Sequence, residues 1–245
     1  MTFSPKEVHL MSKYTIKHGR HSSHSKLREE VTKWNSKKLR LTGEKIHILD
    51  VGCAQGSLLS ELKDFRTFEV LGIEPNHEWA EDARSRGYRV LEEPIESAIS
   101  KLPQNLDLII CGDVLEHLVD PKQVFRSLVT QLKTDGMILV SVPNVAHFST
   151  RISLLFGRFD YAEKGILDET HLRFFTKKTL MESFGDDRLT ILDFAYTQPP
   201  FEAIFPKFAS SRFGSVIQEI MQLFVNLRPQ IFAYQFIMIA KKNGE

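Results

Sequence analysis

Three groups of residues in this chain have the types and spacing to do chemistry. The first is a turn, Asp50-Val-Gly52-Cys-Ala54-Gln-Gly56, between an apolar run and a helical one. Glycines at 52 and 56 let the backbone turn tightly and bring amide groups close to a ligand. The helix start that follows offers unpaired N–H groups and a partial positive charge, which suit a carboxylate or phosphate. The second is Glu74, which closes the apolar run FEVLGIE. A carboxylate there accepts hydrogen bonds from both hydroxyls of a ribose, and its charge strengthens them. The third is Asp113-x-x-Glu116-His117, joined much later in the chain by His171 in ETHLRFF. Histidine titrates near neutral pH and can take the proton of a hydroxyl nucleophile. His117 is the first candidate as base or substrate ligand, His171 the second, and His147 a weaker third. Asp113, Glu116, His117 and His171 are also a set that could hold a hard divalent ion such as Mg²⁺, which would bind both hydroxyls of a diol and acidify one.

These residues need a scaffold, and the chain supplies a regular one. From Ile46 onward strand-like runs alternate with helical ones, which predicts crossover units and a parallel sheet. The expected strands are 46–51, 68–74, 88–92, 106–112, 137–143, 189–197 and 231–242. A helix runs from Gly56 to Leu62, and another follows Asn76 as cap and stops at Gly87. Asp120-Pro121 starts a helix that continues to about Leu132, and Thr176 caps one more. The expected fold is α/β: a Rossmann-like, doubly wound, seven-stranded sheet, mostly parallel with an antiparallel last strand and helices on both faces. Asp50 and Glu74 then fall at the carboxyl ends of adjacent strands, where such sheets bind ligands. Mere loop capping would leave that coincidence unexplained. Residues 1–40 read as a flexible arm plus one cap helix from Lys26 to Leu41, and 41–245 as the main domain. Two irregular aromatic segments, 144–175 and 198–229, interrupt it and are expected to form a substrate lid.

Glu74 does not distinguish one adenosine cofactor from another, because dinucleotide sites use the same acid. The first turn does. DVGCAQG lacks the GxGxxG order and places no third glycine to admit a pyrophosphate. Together DVGCAQG, GIEPN and DLIICGDVLEHLVDP resemble, in order and spacing, the motifs of class I S-adenosylmethionine-dependent methyltransferases. The resemblance covers roughly residues 39–192 and is greatest to the branch containing the ubiquinone-biosynthesis O-methyltransferases. The block PNVAHFSTRISLLFGRFDYAEKGILDETHLRFFT is similar to one in bacterial methyltransferases of that branch. The resemblance implies S-adenosylmethionine as cofactor. Asp50, Gly52, Ala54 and Gly56 would surround its methionine part and Glu74 would hold the ribose. Glu93, or its neighbour Glu92, would meet the adenine amino group, and Gly112 and Asp113 would line the cofactor. Ala54 departs from the usual glycine; being small, it should preserve binding with a slightly altered turn.

The implied reaction is in-line methyl transfer to oxygen of a small molecule, a sugar or a lipid-linked intermediate. Two alternatives compete. Metal-dependent RNA 2′-O-methyltransferases carry E-x-x-E-H plus a later histidine, and here the first acid is Asp113. A non-catalytic S-adenosylmethionine-binding subunit is the other. No metal is expected, because many metal-free relatives keep the Glu-His pair. No nucleic-acid partner is expected either. The net charge is +1 over 245 residues, without the basic excess of a nucleic-acid binder. Arg151, Arg158 and Arg173 could meet a phosphate or carboxylate, or simply solvate the surface. The histidines at 18, 21 and 24 read as a solvated arm, for lack of a completing Cys or carboxylate. Two cysteines, Cys53 and Cys111, make no disulfide framework and read as reduced packing residues. With no apolar run near the length of a membrane span and no signal-like N-terminus, a cytoplasmic location is expected. The amphipathic 198–229 segment leaves room for peripheral membrane contact or a second subunit, and the oligomeric state is open.

Overall fold

The computed structural model describes residues 22–42, 45–62, 65–201, 207 and 211–244. His18, His21 and the rest of residues 1–21 lie outside the described residues, as does part of the second irregular segment, whereas His24, expected in the arm, lies in a helix that begins at Ser23.

Seven strands form one sheet: β1 Ile46–Val51, β2 Phe68–Ile73, β3 Arg89–Leu91, β4 Leu106–Gly112, β5 Leu132–Pro143, β6 Leu189–Tyr196 and β7 Gln235–Lys242. Their order is β3-β2-β1-β4-β5-β7-β6. β7 pairs antiparallel with both β5 and β6, and the other neighbours pair parallel. The expected doubly wound sheet with one antiparallel strand is present. β4 is buried at six consecutive positions, Leu106 to Cys111. A parallel strand covered on both faces is buried along its length in this way, and the one charged member of the run, Asp107, is paired with Lys133.

The helices are α1 Ser23–Thr42, α2 Ser57–Ser60, α3 His77–Ser85, α4 Ile95–Ala98, α5 Pro121–Gln131, α6 Phe148–Leu155, α7 Lys177–Phe184, α8 Arg212–Leu227 and α9 Pro229–Phe232. Two cores sit on opposite faces of the sheet. On one, Ile95, Phe125, Leu128, Leu180 and Phe184 of α4, α5 and α7 pack together. On the other, Leu27 and Val31 of α1 join Leu58, Leu59 and Ala83. Each such fully buried aliphatic side chain contributes about 1.5–3 kcal/mol relative to leaving it in water.

Local signals set the helix starts. Asn76, Asp120 and Thr176 accept from the amides of Trp79, Gln123 and Thr179 and cap α3, α5 and α7. Some boundaries differ from expectation. β5 begins at Leu132 rather than Met137, because Leu132 pairs with Leu106 before a register shift. Asp135, at φ 63°, carries the chain through that irregularity. The last strand begins at Gln235 rather than Ile231, because Pro229 opens the short α9. Proline lacks the N–H a ladder needs and suits a helix's first turn. α2 ends at Ser60, short of Leu62. No helix among the described residues is long and apolar enough to cross a membrane.

Candidate active site

The turn after β1 is built from left-handed backbone. Gly52, Ala54 and Gly56 have φ of 67°, 45° and 72°. At position 52 a Cβ would collide with the side chain of Val114, in the loop after β4. At position 56 a Cβ would press to 3.1 Å from Ala83 and Tyr88. Alanine at 54 bears the strain glycine would avoid, about 1–2 kcal/mol. Backbone bonds tie the turn to β2: the Gly52 and Cys53 amides donate to the Ile73 carbonyl at 2.8 and 3.1 Å.

Glu74 stands where β2 ends, and its carboxylate is buried. One oxygen accepts from the Ala54 amide at 3.0 Å and the other from the Asn76 amide at 2.8 Å. An ionised carboxylate has about four acceptor positions, so two remain for a ligand's hydroxyls. Burial pushes its carboxyl up to about 7, against the two amides, which pull it down. Asp50 lies at the end of β1 and accepts from the Tyr88 hydroxyl at 3.1 Å. That hydroxyl in turn accepts from the Leu59 amide at 3.2 Å. Burial also pushes Asp50 up to about 7; Tyr88 opposes this and the Glu74 charge adds to it. Tyr88 was absent from the sequence-derived site. Its one signal was a hydroxylated aromatic at the expected start of the strand YRVLE.

Glu92 and Glu93 face other charges. Glu92 meets His77 at 2.8 Å and Arg84 at 3.0 Å, and Glu93 pairs with Lys101 at 2.7 Å. Gly112 ends β4, where a Cβ would stand 3.1 Å from Leu27 of α1. Asp113 follows at φ 55°. Its carboxylate accepts from Ser141 at 2.6 Å, Ser23 at 2.7 Å and Gln235 at 3.0 Å, which locks three distant segments onto the loop.

Beyond Asp113 a 3₁₀ turn, Leu115–His117, carries Glu116 and His117. The Glu116 carbonyl accepts from the amides of Leu172 and Arg173, both at 2.9 Å. These bonds pin the 166–175 stretch against the loop and set His171 beside His117. The two rings lie 4.8 Å apart, edge to face at 66°. His117 Nδ1 donates to the Thr170 carbonyl at 3.2 Å, and His171 Nδ1 to the Ile166 carbonyl at 3.1 Å. Burial lowers both imidazoles below their ordinary value, and the neighbouring His171 lowers His117 further. Burial thus favours the neutral form of both, with Nε2 left to accept a proton. The Glu116 carboxyl is fully buried and held well above the usual range by that burial, with Asp113 and Asp168 adding to it.

The remaining candidates serve the local fold. His147 caps α6, and burial lowers it to about 4. Arg173 donates to the carbonyls of Leu172 and Val119, and Arg151 to that of Ala146. Cys53 and Cys111 are free, buried thiols.

The family model described as "Methyltransferase domain" matches residues 22–187, about two thirds of the chain. Among curated proteins, a ubiquinone biosynthesis O-methyltransferase of Yersinia enterocolitica is 32% identical over 103 residues, 40% of this chain and 42% of that protein. One of Pseudomonas fluorescens is 30% identical over 119 residues, 45% of this chain and 49% of that protein. The chain thus matches just under half the length of these relatives. Among solved structures, the plantazolicin methyltransferase BpumL, in complex with an analogue and SAH, matches at TM-score 0.62 and 16% identity over 98% of this chain and 92% of that one. A SAM-dependent methyltransferase of Archaeoglobus fulgidus matches at TM-score 0.51 and 21% identity over 88% and 94%. The strand order, the glycine turn and the family match agree, and the chain belongs to the methyltransferase-domain family of class I S-adenosylmethionine-dependent methyltransferases.

Proposed function

We propose that this protein transfers the methyl group of S-adenosylmethionine to an oxygen of a small acceptor. The residues present fit the cofactor. Positions 52 and 56 of the turn leave little room for a side chain, and Glu74 is buried with acceptor positions to spare. Asp50, Gly52, Ala54 and Gly56 would face the methionine part, Glu74 the ribose hydroxyls, and Gly112 and Asp113 the far wall. The cofactor, when bound, supplies a methyl group already activated on sulfonium, so the chain's own work is alignment, exclusion of water and handling of the acceptor's proton.

The observation that carries the reading is the buried His117–His171 pair, rings 4.8 Å apart, on a loop in touch with the glycine turn. Val114, three residues before His117, fills the space that a side chain at 52 would need. The acceptor hydroxyl is placed at His117 Nε2, which takes its proton as the methyl group arrives, with His171 beside it. The names of the curated relatives favour oxygen as the acceptor atom. The segment 144–175, tied to the loop through the Leu172 and Arg173 amides, acts as the lid over the acceptor, which is a hydroxylated small molecule, a sugar or a lipid-linked intermediate.

The test is His117→Asn in a methyl-transfer assay over phenolic, sugar and isoprenoid-phenol acceptors. The expected loss in kcat is about 10²- to 10⁴-fold, with the affinity for S-adenosylhomocysteine unchanged. An unchanged kcat, or wild-type protein that fails to bind S-adenosylhomocysteine at all, overturns the proposal.

A further inference from the structure

We propose that Glu116, His117 and His171 form a binding site for one divalent transition-metal cation. Sequence spacing alone argued for no metal, or for Mg²⁺ on four groups including Asp113. The tertiary arrangement differs on both points.

The donor atoms of Glu116, His117 and His171 all lie within 4.8 Å of one another. Asp113 stands outside this group, because Ser23, Ser141 and Gln235 hold its carboxylate. Glu116 is the telling residue. It is 1% exposed, and neither carboxylate oxygen receives a hydrogen bond from another described residue. A buried carboxylate left unpaired is expensive, and such groups are paired or coordinate metals. Its neighbours here are two imidazoles whose free Nε2 atoms offer lone pairs and no proton.

The histidines are prepared in the way metal ligands are. Each gives its Nδ1–H to a backbone carbonyl, Thr170 for His117 and Ile166 for His171. That bond fixes the tautomer and ring orientation and leaves Nε2 as the ligand atom. Thr170 is itself fixed, since its amide and hydroxyl both donate to Asp168, at 2.8 and 2.6 Å. Asp168 is 1% exposed and adds negative charge behind the histidines. The outer layer of carboxylate, hydroxyl and carbonyls is therefore already built.

The ligand types select the ion. Two imidazoles and one carboxylate suit Mn²⁺, Fe²⁺, Co²⁺ or Zn²⁺, whereas Mg²⁺ takes oxygen ligands. Three protein ligands leave at least one position open for an oxygen of the methyl acceptor. This last consequence rests on the O-methylation reading; binding of the ion does not. Occupancy would change the part His117 plays, from taking the acceptor's proton to holding an ion that makes the proton easier to lose.

The test uses the full chain, stripped with chelator and titrated with Co²⁺, with the visible absorption of the ion as readout. One Co²⁺ per chain is expected, with bands characteristic of nitrogen and oxygen ligation. Glu116→Gln and His171→Ala should each weaken binding by more than about 100-fold, since losing even a supporting partner costs about 10–100-fold. His77→Ala alters the exposed group His77, Glu81 and Glu92, and should leave the titration unchanged. Glu116→Gln keeps the side chain's volume, and circular dichroism verifies its fold should His171→Ala fail. Wild type that shows no Co²⁺ bands at millimolar ion, or a titration Glu116→Gln leaves intact, overturns the site. S-adenosylhomocysteine binding, measured on the same samples, separates this outcome from failure of the cofactor reading.

Discussion

Glu74 has two properties that pull in opposite directions with pH. Its carboxyl is pushed up from 4.5 to about 7 by burial. Holding a ribose diol favours the ionised form, so affinity for S-adenosylhomocysteine should be level above pH 7 and fall below it, by up to about tenfold per pH unit for one proton. Folding of the ligand-free protein follows the reverse sign. A carboxyl raised in the folded state stabilises fully below its unfolded value and loses that stability as pH rises through its folded value. The window is therefore 4.5 to about 7, with roughly 3 kcal/mol at stake. Calorimetric titrations of wild type and Glu74→Gln from pH 5.5 to 8 check the first expectation. The variant should bind about 10- to 100-fold more weakly at pH 8, as a lost charged hydrogen bond of 1.5–3 kcal/mol implies, and with a flatter profile. Urea unfolding of the same two proteins checks the second: their stabilities should diverge above pH 5, with Glu74→Gln the less pH-sensitive. Tyr88→Phe belongs here too. It removes the hydroxyl between Asp50 and the Leu59 amide and should cost about 1–3 kcal/mol of stability by urea unfolding. No change in stability would mean that water replaces the hydroxyl.

The turn and the loop after β4 act as coupled elements, joined by the contact of Gly52 with Val114. Gly52→Ala meets both a left-handed φ and that side chain, so either the turn or the loop must move. The expected result is loss of measurable S-adenosylhomocysteine binding by calorimetry, with the protein still folded by circular dichroism. Val114→Ala in the same protein should recover part of the binding. α1 is a second case. Leu27 is 0% exposed and borders Gly112, and Ser23 holds Asp113. The cap helix was legible from Lys26 onward, but not that it begins at Ser23 and through that residue supports the loop of the candidate site. Leu27→Ala should destabilise by about 2–5 kcal/mol, read as a lower urea midpoint. The caps at Asn76, Asp120 and Thr176 were legible because capping is decided within four residues of chain. The start of β7 was less so. Ile231 and Phe232 fit a strand by type, but Pro229 and the α9 turn claim them first.

Across the whole molecule, the alternation of apolar runs determined the doubly wound sheet, and the motif turn with Glu74 marked the strand tips proposed to hold the cofactor. Both are written locally: a strand's burial shows in its own residues, and a left-handed turn shows in its glycines. The second half of the site is written differently. That Glu116 is buried without a partner, that His117 meets His171, and that Asp113 is taken by Ser23, Ser141 and Gln235 all depend on segments far apart in the chain. Glu92 and Glu93 meet His77, Arg84 and Lys101 from only 8 to 15 residues away, yet the choice of these partners is also made by packing. Charge and hydrogen-bond partners are a property of the packed whole, because burial sets the strength of each interaction and the order of the strands decides who is near. The sequence therefore determined the sheet and the glycine turn, while only the packed structure decided which acid and which histidines meet, because their neighbours come from segments far apart in the chain.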